Sequence, residues 1–231
     1  MIITAHQPTY LPWLGLFNKI YYSDCFVLLD TVQYLPQEWM NRNKIKTANG
    51  ERYLTVPVHK KGYLKKMNKE IKIDNSHDWQ RKHLKSIFVS YKNTKYFNNY
   101  FPFFEDVYKK DWDYLCELNT YILENLLNFL DIKIKLLKLS ELNVDGTKSD
   151  LVLNVCKKLN AQTYIFGGQG ENYADINKFN QNNIKIKFQK YIHPAYNQNF
   201  ENFLSNMSVI DLIFNCGKDS LEIINKKNKL I

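Results

Sequence analysis

The C-terminal part of the chain alternates between strand-like and helix-like segments, and this alternation restricts the fold more than any other feature. The strand-like runs IKIKLLKL, TYIFGG and IKIKFQKY are separated by the helical pattern DLVLNVCKKL, with Ser149 as its cap, and by a polar turn. The segment SVIDLIFNCG predicts a closing helix. Strands and helices in this order are typical of a parallel sheet. The sequence therefore predicts an α/β fold, Rossmann-like, with a mostly parallel sheet.

The N-terminal part of the chain predicts further strands in the runs IITA, FVLLD and RYLTVPV. Asn49 and Gly50 lie between NRNKIKT and ERYLTVPV. An Asn-Gly pair between two such runs is a strong signal for a β-hairpin turn. The candidate ligand-binding residues of this region lie between the strands.

A helical pattern begins after residue 75, where Asn75 or Ser76 can cap the first helix. Its buried face is predicted to hold Trp79, His83, Ile87 and Tyr91. A second helix is predicted from about Asp111, with the apolar stripe Leu115, Leu118, Ile122, Leu126 and Phe129. No Pro/Gly/Ser linker or repeat divides the 231 residues. We therefore predict one α/β domain over residues 1–231, with a helical insertion at about 76–130.

The segment HQPTYLPWLG, directly after the first strand, supplies His6, Gln7, Tyr10 and Trp13. In α/β sheets the loop that leaves a strand's carboxyl end lines the ligand crevice. An imidazole with its ordinary pKa near 6.5 serves as acid or base near neutrality, so His6 is the predicted proton-transfer group. The alternative is that the prolines shape a turn while the aromatic rings fill the core.

A second candidate segment begins with Asp30, at the end of an apolar strand, and continues in Asn41, Arg42, Asn43 and Lys44. A buried carboxylate requires a partner, and amides and cations suit phosphate and sugar oxygens. This pattern predicts a phosphate site. The alternative is that the basic residues form an exposed hairpin face.

A third candidate is the turn in TYIFGGQGENY, which contains Gly168, Gly170 and Tyr173. Glycines allow a backbone to approach a ligand closely, and free amides at the start of a helix favour an anion. The turn lacks both the GxGxxG spacing and the Gly-Lys-Ser/Thr ending of a P-loop. The sequence therefore supports neither a Rossmann dinucleotide site nor a P-loop NTPase.

A fourth candidate is the segment HPAYNQ, which follows a strand and supplies His193, Tyr196 and Gln198. Two histidine-bearing loops at strand ends are able to converge on one pocket, so His193 is a second candidate base. The alternative is a structural histidine with satisfied hydrogen bonds. Cys216 is predicted to be the buried end of the last helix rather than a nucleophile.

The chain carries 32 Lys and Arg against 23 Asp and Glu, a formal net charge of +9 that favours an anionic partner such as a nucleotide, a sugar diphosphate or RNA. The alternative is a basic surface without a partner. The dispersed cysteines and histidines predict no metal site. We expect a cytoplasmic protein without a membrane span, because neither a secretory start nor an apolar run of ~20 residues is present.

The segments HQPTYLPWLGLFNKI, FVLLDTVQY, NRNKIK, YLTVPV, HPAYNQ and SVIDLIFNCG resemble the WbqC-like family of bacterial surface-polysaccharide gene clusters. The resemblance implies a transferase that adds an acyl or aminoacyl group to the amine of a nucleotide-linked amino sugar in O-antigen-type synthesis. The resemblance does not indicate the oligomeric state or a cofactor. The implied acyl donor is a thioester, an aminoacyl-tRNA or a free acid with ATP. A tRNA or a carrier protein is accordingly a possible partner. The site that the resemblance implies consists of the matching motif residues His6, Gln7, Tyr10, Trp13, Asn41, Arg42, Asn43, Gly168, Tyr173, His193, Tyr196 and Gln198.

Residues and resemblance together predict a mechanism in which His6, or His193 in its place, is the base. Gln7, Asn41 or the amides of residues 168–170 would stabilise the oxyanion. Arg42 and Lys44 would hold the diphosphate, and Tyr10 and Trp13 would stack on the sugar or the base. The alternatives are an ATP-using ligase or nucleotidyltransferase, a sugar- or RNA-binding module, and a structural partner of another glycan enzyme.

Overall fold

The computed structural model describes residues 1–36 and 38–228. Its strands are β1 (Ile2–His6), β2 (Cys25–Leu28), β3 (Arg42–Thr47), β4 (Gly50–Thr55), β5 (Lys135–Lys138), β6 (Thr163–Phe166) and β7 (Lys185–Phe188). Five of them form one sheet in the order β5-β2-β1-β6-β7, and each neighbouring pair is parallel. The prediction of a Rossmann-like α/β fold with a mostly parallel sheet is confirmed.

Strands β3 and β4 form a separate antiparallel hairpin, as the Asn49-Gly50 signal predicts. Thr47 pairs with Gly50, so the two loop residues are Ala48 and Asn49. Gly50 is the first residue of β4, and its φ of 100° lies in the left-handed region that glycine adopts without strain.

The helices are α1 (Leu14–Tyr21), α2 (Trp79–Tyr91), α3 (Phe97–Lys109), α4 (Leu115–Phe129), α5 (Lys148–Lys158), α6 (Ile176–Gln181), α7 (Val209–Cys216) and α8 (Ser220–Asn225). Three helices, α2, α3 and α4, lie between residues 76 and 130, where the sequence predicted two. Trp79, His83, Ile87 and Tyr91 are all buried, as predicted. Among the described helices, none combines the length and the apolar character needed to cross a membrane.

Two helix starts differ from the prediction because the expected cap side chains have other partners. Helix α2 begins after Asp78, while Asn75 accepts a hydrogen bond from the indole of Trp79. Helix α5 begins after Thr147, and the hydroxyl of Ser149 instead accepts a hydrogen bond from the backbone of Asp175. Ser149 therefore joins α5 to the start of α6 rather than capping its own helix.

The parallel sheet separates two apolar clusters. Successive side chains of a strand point to opposite faces, so Phe26 and Leu28 of β2 pack with α1, α4 and α7, whereas Cys25 and Val27 pack with α5. All of β2 is buried, which is typical of a strand covered on both faces. The sheet is thus a rigid platform between two helical layers.

The order of the strands reverses at β1. The chain first adds β2 and β5 on one side of β1, and it then crosses over to add β6 and β7 on the other side. Residues at the carboxyl ends of β1 and β6 therefore flank a topological switch point, where open α/β sheets bind their ligands.

Candidate active site

A cavity of about 750 Å³ opens at the carboxyl ends of β1 and β6. We call it the switch-point cavity; its lining includes Ala5, His6, Gln7, Trp13, Lys19, residues 167–170 and Tyr173. Six residues predicted as site residues therefore meet here, namely His6, Gln7, Trp13, Gly168, Gly170 and Tyr173. They come from two segments more than 150 positions apart in the chain, joined by the pairing of β1 with β6.

His6 ends β1 and lies in the cavity wall as a neutral imidazole. Its Nδ1 is 2.9 Å from the backbone oxygen of Gln7. A carbonyl oxygen only accepts hydrogen bonds, so Nδ1 carries the proton and Nε2 has a free lone pair. The ring of Trp13 meets the imidazole edge to face, with centroids 5.1 Å apart. This contact and the Nδ1 hydrogen bond fix the orientation of the ring.

The pKa of His6 departs from the expected value near 6.5. Burial, together with the positive charge of Lys19, lowers the pKa of His6 to about 4. The free site therefore holds a proton acceptor at neutral pH, and the expected ability to act as an acid is absent there.

Lys19 is a residue of the cavity lining that the sequence analysis missed. It lies in the last turn of α1 with 3% of its surface exposed, and its Nζ donates to the backbone oxygen of Ala5 at 3.0 Å. Burial lowers the pKa of its ammonium to about 7. The segment FNKI gives no local signal, because a lysine on a helix normally extends into solvent.

The glycine turn, which we define as residues 167–170, lines the same cavity as His6. A Cβ atom on Gly170 would lie 2.4 Å from Cβ of Phe166, so the turn requires glycine there. At Gly168 the nearest atom to a Cβ would be 3.7 Å away. Residues Gly168–Asn172 form a short 3₁₀ helix that overlaps the turn and has no side-chain cap. The amide of Gly170 donates to the oxygen of Gly167 at 2.8 Å, whereas the amides of Gly168 and Gln169 have no backbone acceptor among the described residues.

Gln7 and Tyr191 add polar groups to the same wall. The side-chain oxygen of Gln7 accepts a hydrogen bond from Asn68 at 2.9 Å, which leaves the NH₂ group as the donor end of the amide. The hydroxyl of Tyr191 is buried without a hydrogen-bond partner among the described residues. An uncompensated hydroxyl in a cavity wall is typical of a site that a ligand completes.

Comparison with known proteins agrees with these motifs. The profile of the WbqC-like protein family matches residues 7–223. The chain belongs to the WbqC-like protein family. The uncharacterized protein Rv1507c of Mycobacterium tuberculosis is similar, with 29% identity over 216 residues, which cover 93% of each chain. No solved structure matches the chain.

Other parts of the WbqC-like motifs hold the site loop in place. Tyr10, predicted to stack on substrate, is fully buried and bonds through its hydroxyl to His83 and Tyr108. The ring is therefore a core residue, and that prediction was wrong. The backbone of Val209, in the SVIDLIFNCG segment, donates to the oxygen of Pro12 at 2.9 Å. Helix α7 thus anchors the loop that carries His6 and Trp13; it is followed by α8, so it does not close the chain's helices as predicted.

Asp30, Asn41 and Asn43 lie outside the switch-point cavity and have structural partners. The carboxylate of Asp30 accepts from the backbone and hydroxyl of Ser140, at 2.9 and 2.6 Å, and so joins the ends of β2 and β5. The amides of Asn41 and Asn43 donate to the backbone oxygens of Val56 and Leu11, respectively. The structure corrects their assignment as substrate-binding residues. The Asp30 carboxylate is engaged by the donors of Ser140, and the two asparagine amides donate to backbone oxygens.

Arg42 and Lys44 lie on β3 of the hairpin and do not line the cavity. Lys44 forms an ion pair with Glu51 at 2.7 Å, and the Arg42 guanidinium lies over the ring of Tyr53 at 5.1 Å. The structure therefore favours the alternative of a hairpin face over a diphosphate site at these residues.

His193 does not converge with His6 on one pocket. Its loop, after β7, packs against Tyr196 and Phe203 outside the lining of the switch-point cavity. Tyr196 and Gln198 both donate to Oδ2 of Asp211 at 2.9 Å, so the HPAYNQ motif ties this loop to α7. These two residues are structural.

Cys216 ends α7 in a groove of about 610 Å³ that Tyr196 and Asn197 also line. It is half-buried and α8 follows α7, so the prediction of a buried end of the last helix was wrong. Burial raises the pKa of its thiol to about 11, so the reactive thiolate is scarce at neutral pH. Across residues 1–36 and 38–228, no group of three or more His, Cys, Asp and Glu side chains is arranged to hold a metal ion.

Proposed function

We propose that this WbqC-like protein is an enzyme that transfers an acyl or aminoacyl group to the amine of a nucleotide-linked amino sugar for surface-glycan synthesis. The observation that carries the proposal is His6. Its neutral imidazole, with a free Nε2 lone pair, lies in the wall of a cavity at the switch point of the sheet.

In the proposed reaction the sugar nitrogen attacks the carbonyl carbon of the donor and forms a tetrahedral adduct. The nitrogen of this adduct then loses its proton to Nε2 of His6, and collapse of the adduct expels the donor's leaving group. The NH₂ group of Gln7 is the donor available to the oxyanion.

A second cavity, of about 730 Å³, is suited to the acyl donor. It opens at the ends of β2 and β5 and shares Leu35 with the switch-point cavity. Its lining is rich in aliphatic side chains, among them Val32, Leu139 and Leu151. Two neighbouring cavities along one sheet edge fit a reaction that joins two substrates.

The proposed donor is a thioester, an aminoacyl-tRNA or a free acid with ATP. The proposed acceptors are cytoplasmic nucleotide sugars. The test incubates the protein with a panel of nucleotide-linked amino sugars and each donor class, and measures the mass of the sugar product. The proposal expects a mass gain equal to the acyl group. Release of pyrophosphate without acylation would instead support a nucleotidyltransferase. Binding of the sugar without any product would contradict the proposal that the protein is an enzyme.

A further inference from the structure

Lys19 lies in the cavity wall, and its protonated form has no compensating carboxylate there. No described carboxylate lies within 4.0 Å of its Nζ. Among the described residues its hydrogen-bond partner is the backbone oxygen of Ala5, which engages one of three ammonium donors. Glu38 lines the same cavity, but it is exposed and forms no ion pair with Lys19.

A buried ammonium without a counter-charge destabilises a fold, because it loses hydration and gains little in return. A second buried lysine in this chain shows the contrast. Lys46 is 2% exposed, and its Nζ donates to two backbone oxygens, those of Phe200 and Asn202. Lys46 is therefore better satisfied within the protein, whereas Lys19 keeps donors for a ligand.

The groups around Lys19 suit a tetrahedral anion. A Cβ atom on Gly167 would lie 3.9 Å from Lys19 Nζ, so the glycine turn passes directly beside the ammonium. Within this turn the N–H groups of Gly168 and Gln169 have no backbone acceptor among the described residues, whereas the N–H of Gly170 donates to the oxygen of Gly167. A phosphoryl group offers several acceptor oxygens to such a mixed set of donors.

We infer that Lys19 and the glycine turn form a phosphoryl-binding site inside the switch-point cavity, and that this site holds the diphosphate of a nucleotide-linked substrate. The inference rests on the proposed function only for the identity of the ligand that carries the phosphates. It assigns to Lys19 the role that the sequence analysis gave to Arg42 and Lys44.

Binding at this site is expected to take up a proton. The ionisable groups that line the cavity with Lys19 are His6, Glu38, Tyr164, Tyr173 and Tyr191. The pKa values of the three tyrosines are raised by burial and that of His6 is lowered to about 4, so these four stay neutral at pH 8. The pKa of Lys19 is about 7, so at pH 8 most of the free protein has a neutral Lys19 amine. A bound anion favours the ammonium form, so binding at this pH is coupled to protonation of Lys19.

The test measures binding of sulfate and of UDP, GDP and dTDP by calorimetry at pH 8, in two buffers of different ionisation enthalpy. Sulfate does not titrate near pH 8, so its proton uptake reports the protein. The inference expects uptake that approaches one proton per sulfate, and affinity that falls as the pH rises above 7.

Lys19→Gln should weaken sulfate and nucleotide binding by at least tenfold and abolish the proton uptake, and its melting temperature at pH 7 should equal or exceed that of the wild type. Lys46→Gln, a buried-lysine control outside the cavity, and Lys44→Gln, a hairpin control, should leave affinity within twofold. Equal affinity in wild type and Lys19→Gln would overturn the inference. If that variant does not fold, absence of proton uptake in the wild type overturns it.

The two proposals fail in different ways. Nucleotide binding that does not depend on Lys19, together with a mass gain on an amino sugar, would overturn the phosphoryl site and retain the acyltransferase. Lys19-dependent binding without any acyl product would retain the phosphoryl site and overturn the acyltransferase.

Discussion

At the scale of single residues, Gly170 and Gly168 have different surroundings although only one residue separates them. Gly170→Ala places a methyl group against Phe166 and should lower the free energy of unfolding by about 1–3 kcal/mol. Gly168→Ala is the matched control and should change it by less than about 0.5 kcal/mol. Urea unfolding of both variants measures the difference. Equal losses would show that the contact with Phe166 does not determine the glycine.

The second residue-scale prediction concerns His6. His6→Asn keeps a planar polar side chain but removes the proton acceptor, so turnover should fall by roughly 10²–10⁴-fold with the melting temperature nearly unchanged. His59→Asn, at an exposed position, is the control and should retain full turnover. A folded His6→Asn variant with normal turnover would exclude His6 as the base.

At the scale of elements, α7 is held by a buried carboxylate. Asp211 is fully buried and accepts hydrogen bonds from Tyr91, Tyr196 and Gln198. Asp211→Ala leaves these donors without an acceptor and should lower the free energy of unfolding by about 3 kcal/mol or more. Tyr196→Phe removes one donor and should cost about 1 kcal/mol. Denaturant titrations measure the free energy of unfolding of both variants. A smaller loss in Asp211→Ala than in Tyr196→Phe would contradict this hydrogen-bond network.

The hairpin supplies another prediction at this scale. Arg42 lies over Tyr53 outside the switch-point cavity, so Arg42→Ala should leave the affinity for nucleotide-linked sugars within twofold. Calorimetry measures it against the wild type. A tenfold or greater loss of affinity in a folded Arg42→Ala variant would show that the hairpin binds the diphosphate.

The sequence predicts those features that depend on local pattern. Strand periodicity and the Asn49-Gly50 pair identified the sheet and the hairpin, and the position of His6 after β1 identified one wall of the cavity. Lys19 could not be found in this way, because its burial depends on how α1 packs beside Ala5 of β1 and the glycine turn. Tyr10 was misassigned for the same reason, since its partners His83 and Tyr108 lie far away in the chain.

At the scale of the whole molecule, buried neutral histidines make stability depend on pH. Burial lowers the pKa of His83 to about 4, below the unfolded value of 6.5, so the unfolded chain binds this proton first. As the pH falls from 6.5 to 4, His83 should therefore lower the free energy of unfolding by roughly 3 kcal/mol. Urea titrations across this range should show a smaller loss in His83→Gln, and an unchanged loss in the exposed control His77→Gln. Equal pH dependence in wild type and His83→Gln would contradict the buried neutral state.

A crystal structure with a nucleotide-linked amino sugar would locate the site directly. We expect the ligand across the carboxyl ends of β1 and β6, with its amine within hydrogen-bonding distance of His6 Nε2. Its phosphates should lie at Lys19 and the glycine turn. A ligand bound instead at the β3–β4 hairpin, or in the groove beside Cys216, with the switch-point cavity empty, would contradict the account.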